Sequence, residues 1–144
     1  MKLCAILLIV LPLYAAKKVI APPEFAPAAG APAPMFSPGI LVDGTLYVSG
    51  QIGLDLNTKE VPADFEAEVK TCLGNIGIIL KAAGMTFDDV VAVQVYLTDI
   101  DLFARMNTVY SSVLKAPRPA RTTVGVTKLA NAKAHIEITV TARK

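Results

Sequence analysis

Beyond about residue 38 the apolar and polar positions change period several times, and each change marks an element. Gly39–Val42 is a short apolar run. Asp43-Gly44 follows, a two-residue hairpin signal in which both positions tolerate positive φ. Thr45–Ile52 then alternates, with Leu46, Val48, Gly50 and Ile52 on one side and Thr45, Tyr47, Ser49 and Gln51 on the other. Gly53–Pro62 reads as a polar loop. Asp64 is placed to cap a helix running to about Ala83, with Phe65, Val69, Cys72, Leu73, Ile76, Ile79 and Leu80 at helical spacing and Gly84 as its stop. Asp89–Leu97 is β-branched and apolar and predicts a central strand. Asp99 or Asp101 caps a second helix to about Leu114, with Leu102, Phe103, Met106, Tyr110, Val113 and Leu114 inward. Pro117 and Pro119 make Ala116–Ala120 a loop, and Arg121–Val126 and Ile136–Ala142 are the last strands. The domain over residues 39–144 is therefore α/β (α+β), ordered β-β-α-β-α-β-β. Strands joined through helices need crossovers, so the sheet is mixed, with both helices on one face.

Residue parity assigns the strand faces. Leu46, Val48, Val91, Val93, Val95, Thr122, Val124, Val126, Ile136, Ile138 and Val140 are expected against the helices. The other face then carries Tyr47, Ser49, Gln51, Gln94, Tyr96, Arg121, Thr123, Glu137, Thr139 and Thr141. That set is polar but nearly uncharged, whereas a solvated face normally carries Lys and Glu. It predicts burial against another subunit, hence a homo-oligomer. Arg121 and Glu137 are its only formal charges. A cross-strand ion pair is the structural reading. The functional one is a small-acid site, in which the planar Arg fork grips a carboxylate and Glu handles a proton at a bound water.

The N-terminal part follows other rules. Residues 3–13, LCAILLIVLPL, are an apolar run after Lys2. Eleven residues fall short of the roughly 20 needed to span a bilayer. Residues 1–16 read as a secretory signal peptide, with Ala15 and Ala16 as small residues for cleavage. The alternative is an uncleaved tail or interfacial anchor. Export to the periplasm or medium follows if the leader is cleaved, and a cytoplasmic location otherwise. Residues 22–38 hold six of the ten prolines, so 17–38 is expected to be an extended, irregular linker.

Composition narrows the chemistry further. Fourteen Lys and Arg against twelve Asp and Glu leave a formal net charge of +2, which makes no nucleic-acid surface. Two cysteines, Cys4 and Cys72, have no zinc or disulfide spacing, and Cys72 falls in a helix's apolar stripe as a buried structural thiol. One histidine, His135, starts the last strand and reads as a surface or interface residue. A metal site would have to be built almost wholly from carboxylates, and none is expected.

Four segments carry a resemblance: YVSGQIGLD at 47–55, DDVVAVQVYLTDIDLFARMNTVY at 88–110, PARTTVGVTKL at 119–129 and IEITVTA at 136–142. Together they resemble the RidA/YjgF family of reactive-intermediate deaminases, over roughly residues 35–143. The resemblance implies a chorismate-mutase-like fold and a homotrimer with clefts between subunits. It implies hydrolysis of reactive enamines and imines, such as 2-aminoacrylate and 2-iminopropanoate, to 2-keto acids and ammonia without cofactor or metal. By resemblance, Arg121 matches the arginine that holds the substrate carboxylate, and Thr123 the position whose backbone N–H assists it. Glu137 matches the acid that handles the hydrolytic water, and Asn107 a cleft residue on the second helix. Ser49 and Gly50 match the cleft edge. The chain departs from the family at Phe36, where a cleft tyrosine is usual, at LANAKAH after Lys128, and in its leader. Phe36 lacks the hydroxyl, and a lost buried hydrogen bond costs about 1 kcal/mol. Two other functions stay open: a non-catalytic trimer that binds small carboxylates, and a ribonuclease, an activity ascribed to some members. The low charge, the single histidine and the absence of a basic aromatic groove argue against the ribonuclease.

Overall fold

The computed structural model describes residues 16–144. The leader read over 1–16 therefore lies, except for Ala16, outside the described residues, as does Cys4. Six strands and two helices follow in chain order: β1 (Lys18–Ile20), β2 (Gly39–Val42), β3 (Thr45–Ile52), α1 (Phe65–Ala82), β4 (Val90–Leu97), α2 (Phe103–Val113), β5 (Ala120–Gly125) and β6 (Ile136–Arg143). They form one mixed sheet in the order β1-β2-β3-β6-β4-β5. Only β4 and β5 pair in parallel, because α2 carries the chain across between them. The last strand, β6, inserts antiparallel between β3 and β4.

Local chemistry accounts for the element ends. The β2–β3 turn holds Asp43 at φ 49° and Gly44 at φ 69°, the left-handed pair such a turn demands. The Asp64 carboxylate accepts from the Ala67 N–H at 2.8 Å and starts α1. At its other end Gly84 has φ 73°, while the amides of Gly84 and Met85 return to the carbonyls of Lys81 and Leu80. That pair of bonds satisfies carbonyls the helix leaves open. Asp99 acts one step earlier than expected: it accepts from the Asp101 N–H and caps a 3-10 turn that leads into α2.

Both helices lie on one face. The core joins Val69, Cys72, Leu73, Ile76, Ile79 and Leu80 of α1 to Leu46, Val48, Val93, Val95, Ile138 and Val140 of the sheet. Each large aliphatic side chain buried there contributes roughly 1.5–3 kcal/mol.

Two sequence expectations need correction here. The linker read over 17–38 contains a strand, since Lys18–Ile20 pairs with Leu41–Gly39 and Ile20 is buried in the core. A Cβ at Gly39 would come within 2.9 Å of Ile79 and 3.4 Å of Ile20, so the missing side chain leaves the room in which these two pack. A three-residue strand beside a proline-rich run carries too little pattern to stand out. Between β1 and β2 the only regular structure is a 3-10 turn at Pro23–Phe25.

The face assignment fails in three places. The β3–β6 register shifts between Val48 and Gln51, so beyond that bulge Gln51 is buried on the helix side and Ile52 pairs with Glu137 on the other. A second shift, between Val90 and Ala92, turns Val91 outward at 50% exposure. On β5, Arg121 and Thr123 pair with the buried Val93 and Val95, so they face the helices. Thr122 and Val124 pair with Gln94 and Tyr96 and face away. The valine content of β5 suggested the reverse. An edge strand is covered less fully than an inner one, and its inward positions here are polar.

Candidate functional site

Arg121 is set by the edge of the sheet. It rises from β5 toward α2, where its Nη1 donates to Asn107 Oδ1 at 2.8 Å. Its guanidinium lies 4.6 Å from the ring centre of Tyr110 and 5.5 Å from that of Phe103. Phe103, expected inward, is 39% exposed as part of this stack. One amide acceptor and two ring faces fix the plane of the guanidinium and leave its other donors free. Among the described residues Arg121 forms no ion pair, with Glu137 or any other acid.

A cavity of about 530 Å³ opens at this point, lined by Asn107, Tyr110, Ser111, Arg118, Pro119 and Arg121. It contains two cations and no acid. Among the described residues two buried hydroxyls have no hydrogen-bond partner: Tyr110 Oη in the cavity wall, and Thr123 Oγ1 two residues along β5 from Arg121. Burial pushes the Tyr110 phenol upward, with Arg121 partly opposing, so the hydroxyl keeps its proton at neutral pH. The Val126 amide donates to the Leu97 carbonyl at 2.8 Å. Counting back by twos, the amides of Thr122 and Val124 face β4, and those of Arg121 and Thr123 face the open edge of the sheet. The guanidinium and the edge amides are donors only, the hydroxyls can donate as well, and no carboxylate lies among them, an arrangement chemically suited to an anion.

Glu137 belongs to a different half. On β6 it pairs with Tyr96 and Ile52, on the face away from the helices. A cavity of about 330 Å³ holds it with Phe36, Ser49, Gly50, Ile52, Ala130 and Asn131. Gly50 is needed there by close approach: a Cβ would overlap the Glu137 carboxylate. The bulge that misled the parity count is the place where the backbone makes room for this side chain. Ser49 donates its hydroxyl to the Ser37 carbonyl at 2.6 Å, and its amide donates to the Pro38 carbonyl. These bonds hold the segment bearing Phe36 against β3. Phe36 is 66% exposed at the rim and offers no hydroxyl.

The seven residues singled out in the sequence thus divide in two. Arg121 and Asn107 line the first cavity, with Thr123 beside Arg121 on the same face. Glu137, Ser49, Gly50 and Phe36 line the second. The expected same-face pairing of Arg121 with Glu137 does not occur within one chain, because the β4–β5 register puts them on opposite sides of the sheet.

Three contributors escaped the sequence reading. Arg118 stands three residues before Arg121, across Pro119 and Ala120, and its proximity in RPAR was the available signal. Asn131 lies in the LANAKAH segment. Glu68 is fully buried on α1, four residues before Cys72 and within the apolar stripe, where a charge signals a partner. Its carboxylate accepts from the amides of His135 at 2.6 Å and Ile136 at 3.2 Å, and Nδ1 of His135 lies 2.9 Å away. This clamp fixes the start of β6, one residue before Glu137. Cys72 donates to the Gln51 carbonyl at 3.0 Å, and burial pushes its thiol far above the usual range. Among the described residues, no cluster of three or more His, Cys, Asp or Glu could hold a metal, and no helix is long and apolar enough to cross a membrane.

Comparison with known proteins places the chain in a family. A family described as Endoribonuclease L-PSP matches residues 26–144. A 2-iminobutanoate/2-iminopropanoate deaminase of Rattus norvegicus is 41% identical over 114 residues, covering 78% of this chain and 80% of its own. A RutC family protein of Saccharolobus solfataricus is 45% identical over 117 residues, 79% of this chain and 92% of its own. The crystal structure of RidA from an Antarctic Psychrobacter superposes with a TM-score of 0.78 at 35% identity, covering 88% of this chain and 100% of that one. The chain belongs to the RidA/YjgF family, the one whose family description reads Endoribonuclease L-PSP.

Proposed function

We propose that this protein is a hydrolytic deaminase of 2-imino and 2-enamine acids, working as a homotrimer. The observation that carries the reading is the cavity around Arg121, lined by two arginines and no acid, with the guanidinium braced by Asn107 and an orphan Tyr110 hydroxyl in its wall. The relative named 2-iminobutanoate/2-iminopropanoate deaminase supplies the reaction class. The substrate carboxylate lies on the free donors of Arg121 and on the edge amide of Thr123. Asn107 orients the guanidinium. With the imine nitrogen protonated, Glu137 takes one proton from water as the water oxygen bonds to the imine carbon, leaving a neutral carbinolamine. It returns that proton to nitrogen, and as the carbon–nitrogen bond breaks it takes the remaining hydroxyl proton, which leaves the new carbonyl and passes to the departing ammonia. Imine and one water become keto acid and ammonia, with no redox step. An imine carbon is already electrophilic, so fixing the carboxylate and aiming one water suffices.

Arg121 and Glu137 lie on opposite faces of a chain, so one site joins the Arg121 cavity of one subunit to the Glu137 cavity of its neighbour. The outward face suits that assembly: Tyr47, Gln94, Tyr96, Thr122, Val124 and Thr139 are uncharged, and Tyr47 is 52% exposed and Val124 41%. The test is decay of 2-iminopropanoate, generated in place by an amino-acid oxidase. Wild type accelerates decay, while Arg121→Ala and Glu137→Ala each remove the acceleration. Unfolding and refolding the two inactive variants together in equal amounts restores about one quarter of wild-type activity, since in randomly assembled trimers a quarter of all contacts pair an intact Arg121 with an intact Glu137. No acceleration by wild type defeats the deaminase. No recovery in the mixture defeats the shared site.

Phe36 favours one alternative, a trimer that binds small carboxylates without turnover, because the rim of the Glu137 cavity lacks a hydroxyl there. Keto-acid binding that Arg121→Ala abolishes, in a protein inert toward imines, would establish it.

A further inference from the structure

Within one subunit the Arg121 cavity contains two arginines and no acid, more positive charge than one bound carboxylate can answer. Arg118 lines it with its side chain exposed, and among the described residues it makes no ion pair or hydrogen bond to an acid. Arg121 is likewise unpaired, and no Asp or Glu lines the cavity. The two differ in mounting. Arg121 is held by Asn107 and two aromatic rings, whereas Arg118 stands between Pro117 and Pro119 in the loop that feeds β5. A residue preceding proline is confined to extended backbone, and both prolines fix their own φ, so the loop presents the Arg118 stem within narrow limits while its head stays free to follow a ligand. The buried Tyr110 hydroxyl supplies an unpartnered donor on the same wall. Arg118 is close enough that its charge acts on that phenol.

We infer that Arg118 is a specificity residue, forming a second anion subsite that selects 2-imino dicarboxylic acids over imino acids with uncharged side chains. This rests on the deaminase reading and names its substrate class. The α-carboxylate sits on Arg121, and the side-chain carboxylate reaches across the cavity to Arg118. A monocarboxylate leaves Arg118 with water alone. A dicarboxylate satisfies both guanidinium groups, and charge-assisted hydrogen bonds are the strong ones. The supplying reaction must be of the class that oxidises or dehydrogenates acidic amino acids at the α-carbon.

The test compares 2-iminosuccinate, made in place by an oxidase acting on aspartate, with 2-iminopropanoate made from alanine. For wild type, kcat/KM is expected to favour iminosuccinate by about tenfold or more. Arg118→Ala should lower that ratio by on the order of tenfold, with Arg118→Lys between, because a point charge replaces the fork. An equal ratio in wild type and Arg118→Ala overturns the inference. A second readout needs no turnover: calorimetric titration with succinate and with propanoate. Tighter succinate binding whose advantage Arg118→Ala erases supports the subsite, even if neither imine is hydrolysed and the deaminase reading fails. Equal affinities, or binding of neither acid, overturn it.

Discussion

The two halves of the candidate site are built in opposite ways. Around Arg121 the order comes from side chains: an amide acceptor on α2, two rings, and a strand with one open edge. Around Glu137 it comes from backbone: an inner strand, a bulge at Ser49–Gly50, and the buried Glu68 clamp on the start of β6. The first half offers donors and charge to a ligand, and the second offers one carboxylate in a defined place. Binding can tolerate some adjustment of a flexible arginine, while aiming a water cannot. On the proposed deaminase reading, the difference separates a half that sets affinity from a half that sets rate.

That separation can be broken most directly at its two charges. Glu137→Gln is expected to lower kcat by about 10²- to 10⁴-fold with KM little changed, the signature of a lost proton carrier. Arg121→Ala is expected to lower kcat/KM by on the order of 10²- to 10³-fold, mostly through KM. Steady-state kinetics on 2-iminopropanoate check both, and a KM effect at Glu137 larger than at Arg121 would reverse the assignment.

Gly50→Ala sharpens the same contrast without touching a charge. The new methyl group collides with the end of a flexible carboxylate rather than with backbone, so the fold yields cheaply and Glu137 moves. A loss in kcat of roughly tenfold or more is expected, with stability changed by under about 1 kcal/mol. Thermal unfolding and kinetics measured together decide it.

Glu68→Ala tests whether the second half depends on its buried clamp. The change strands the amides of His135 and Ile136. It should cost roughly 3 kcal/mol in denaturant unfolding, since each buried unsatisfied donor costs about 1–3 kcal/mol.

The smallest expected effect lies outside both halves, at Glu66 and Arg105, which join α1 to α2. The hydrogen bonds from Arg105 hold the Glu66 carboxyl down at about 2. Its folded value lies below its ordinary one, so its contribution is complete above about pH 4.5 and disappears as pH falls toward 2. Glu66→Gln should leave a shallower acid limb in a plot of stability against pH, and an unchanged limb would show that the pair does nothing measurable.

Much of this arrangement is legible in the sequence. Asp64 and Gly84 announce the ends of α1, Asp43-Gly44 announces the hairpin, and the apolar stripe of α1 announces the core. Arg121 and Glu137 stood out because formal charges are scarce on the strands. What failed was the step from a strand's sequence to its face. One extra residue at Ser49–Gly50 reverses every later position of β3, and another at Val90–Ala92 turns Val91 outward while Val93 and Val95 stay inward as their alternation suggests. Neither bulge is marked by an unusual residue, apart from Gly50, and a lone glycine in a strand has several readings.

Over residues 39–144 residue order alone settles which segments are helix and strand, roughly where they stop, and which charged residues are available for chemistry, because these depend on periodicity and on contacts a few residues long. Tertiary structure decides that Lys18–Ile20 joins the sheet, that Arg121 faces α2, and that Glu137 faces the other way. Those outcomes depend on pairing register between strands far apart in the chain, and a shift of one residue exchanges the two faces of a strand.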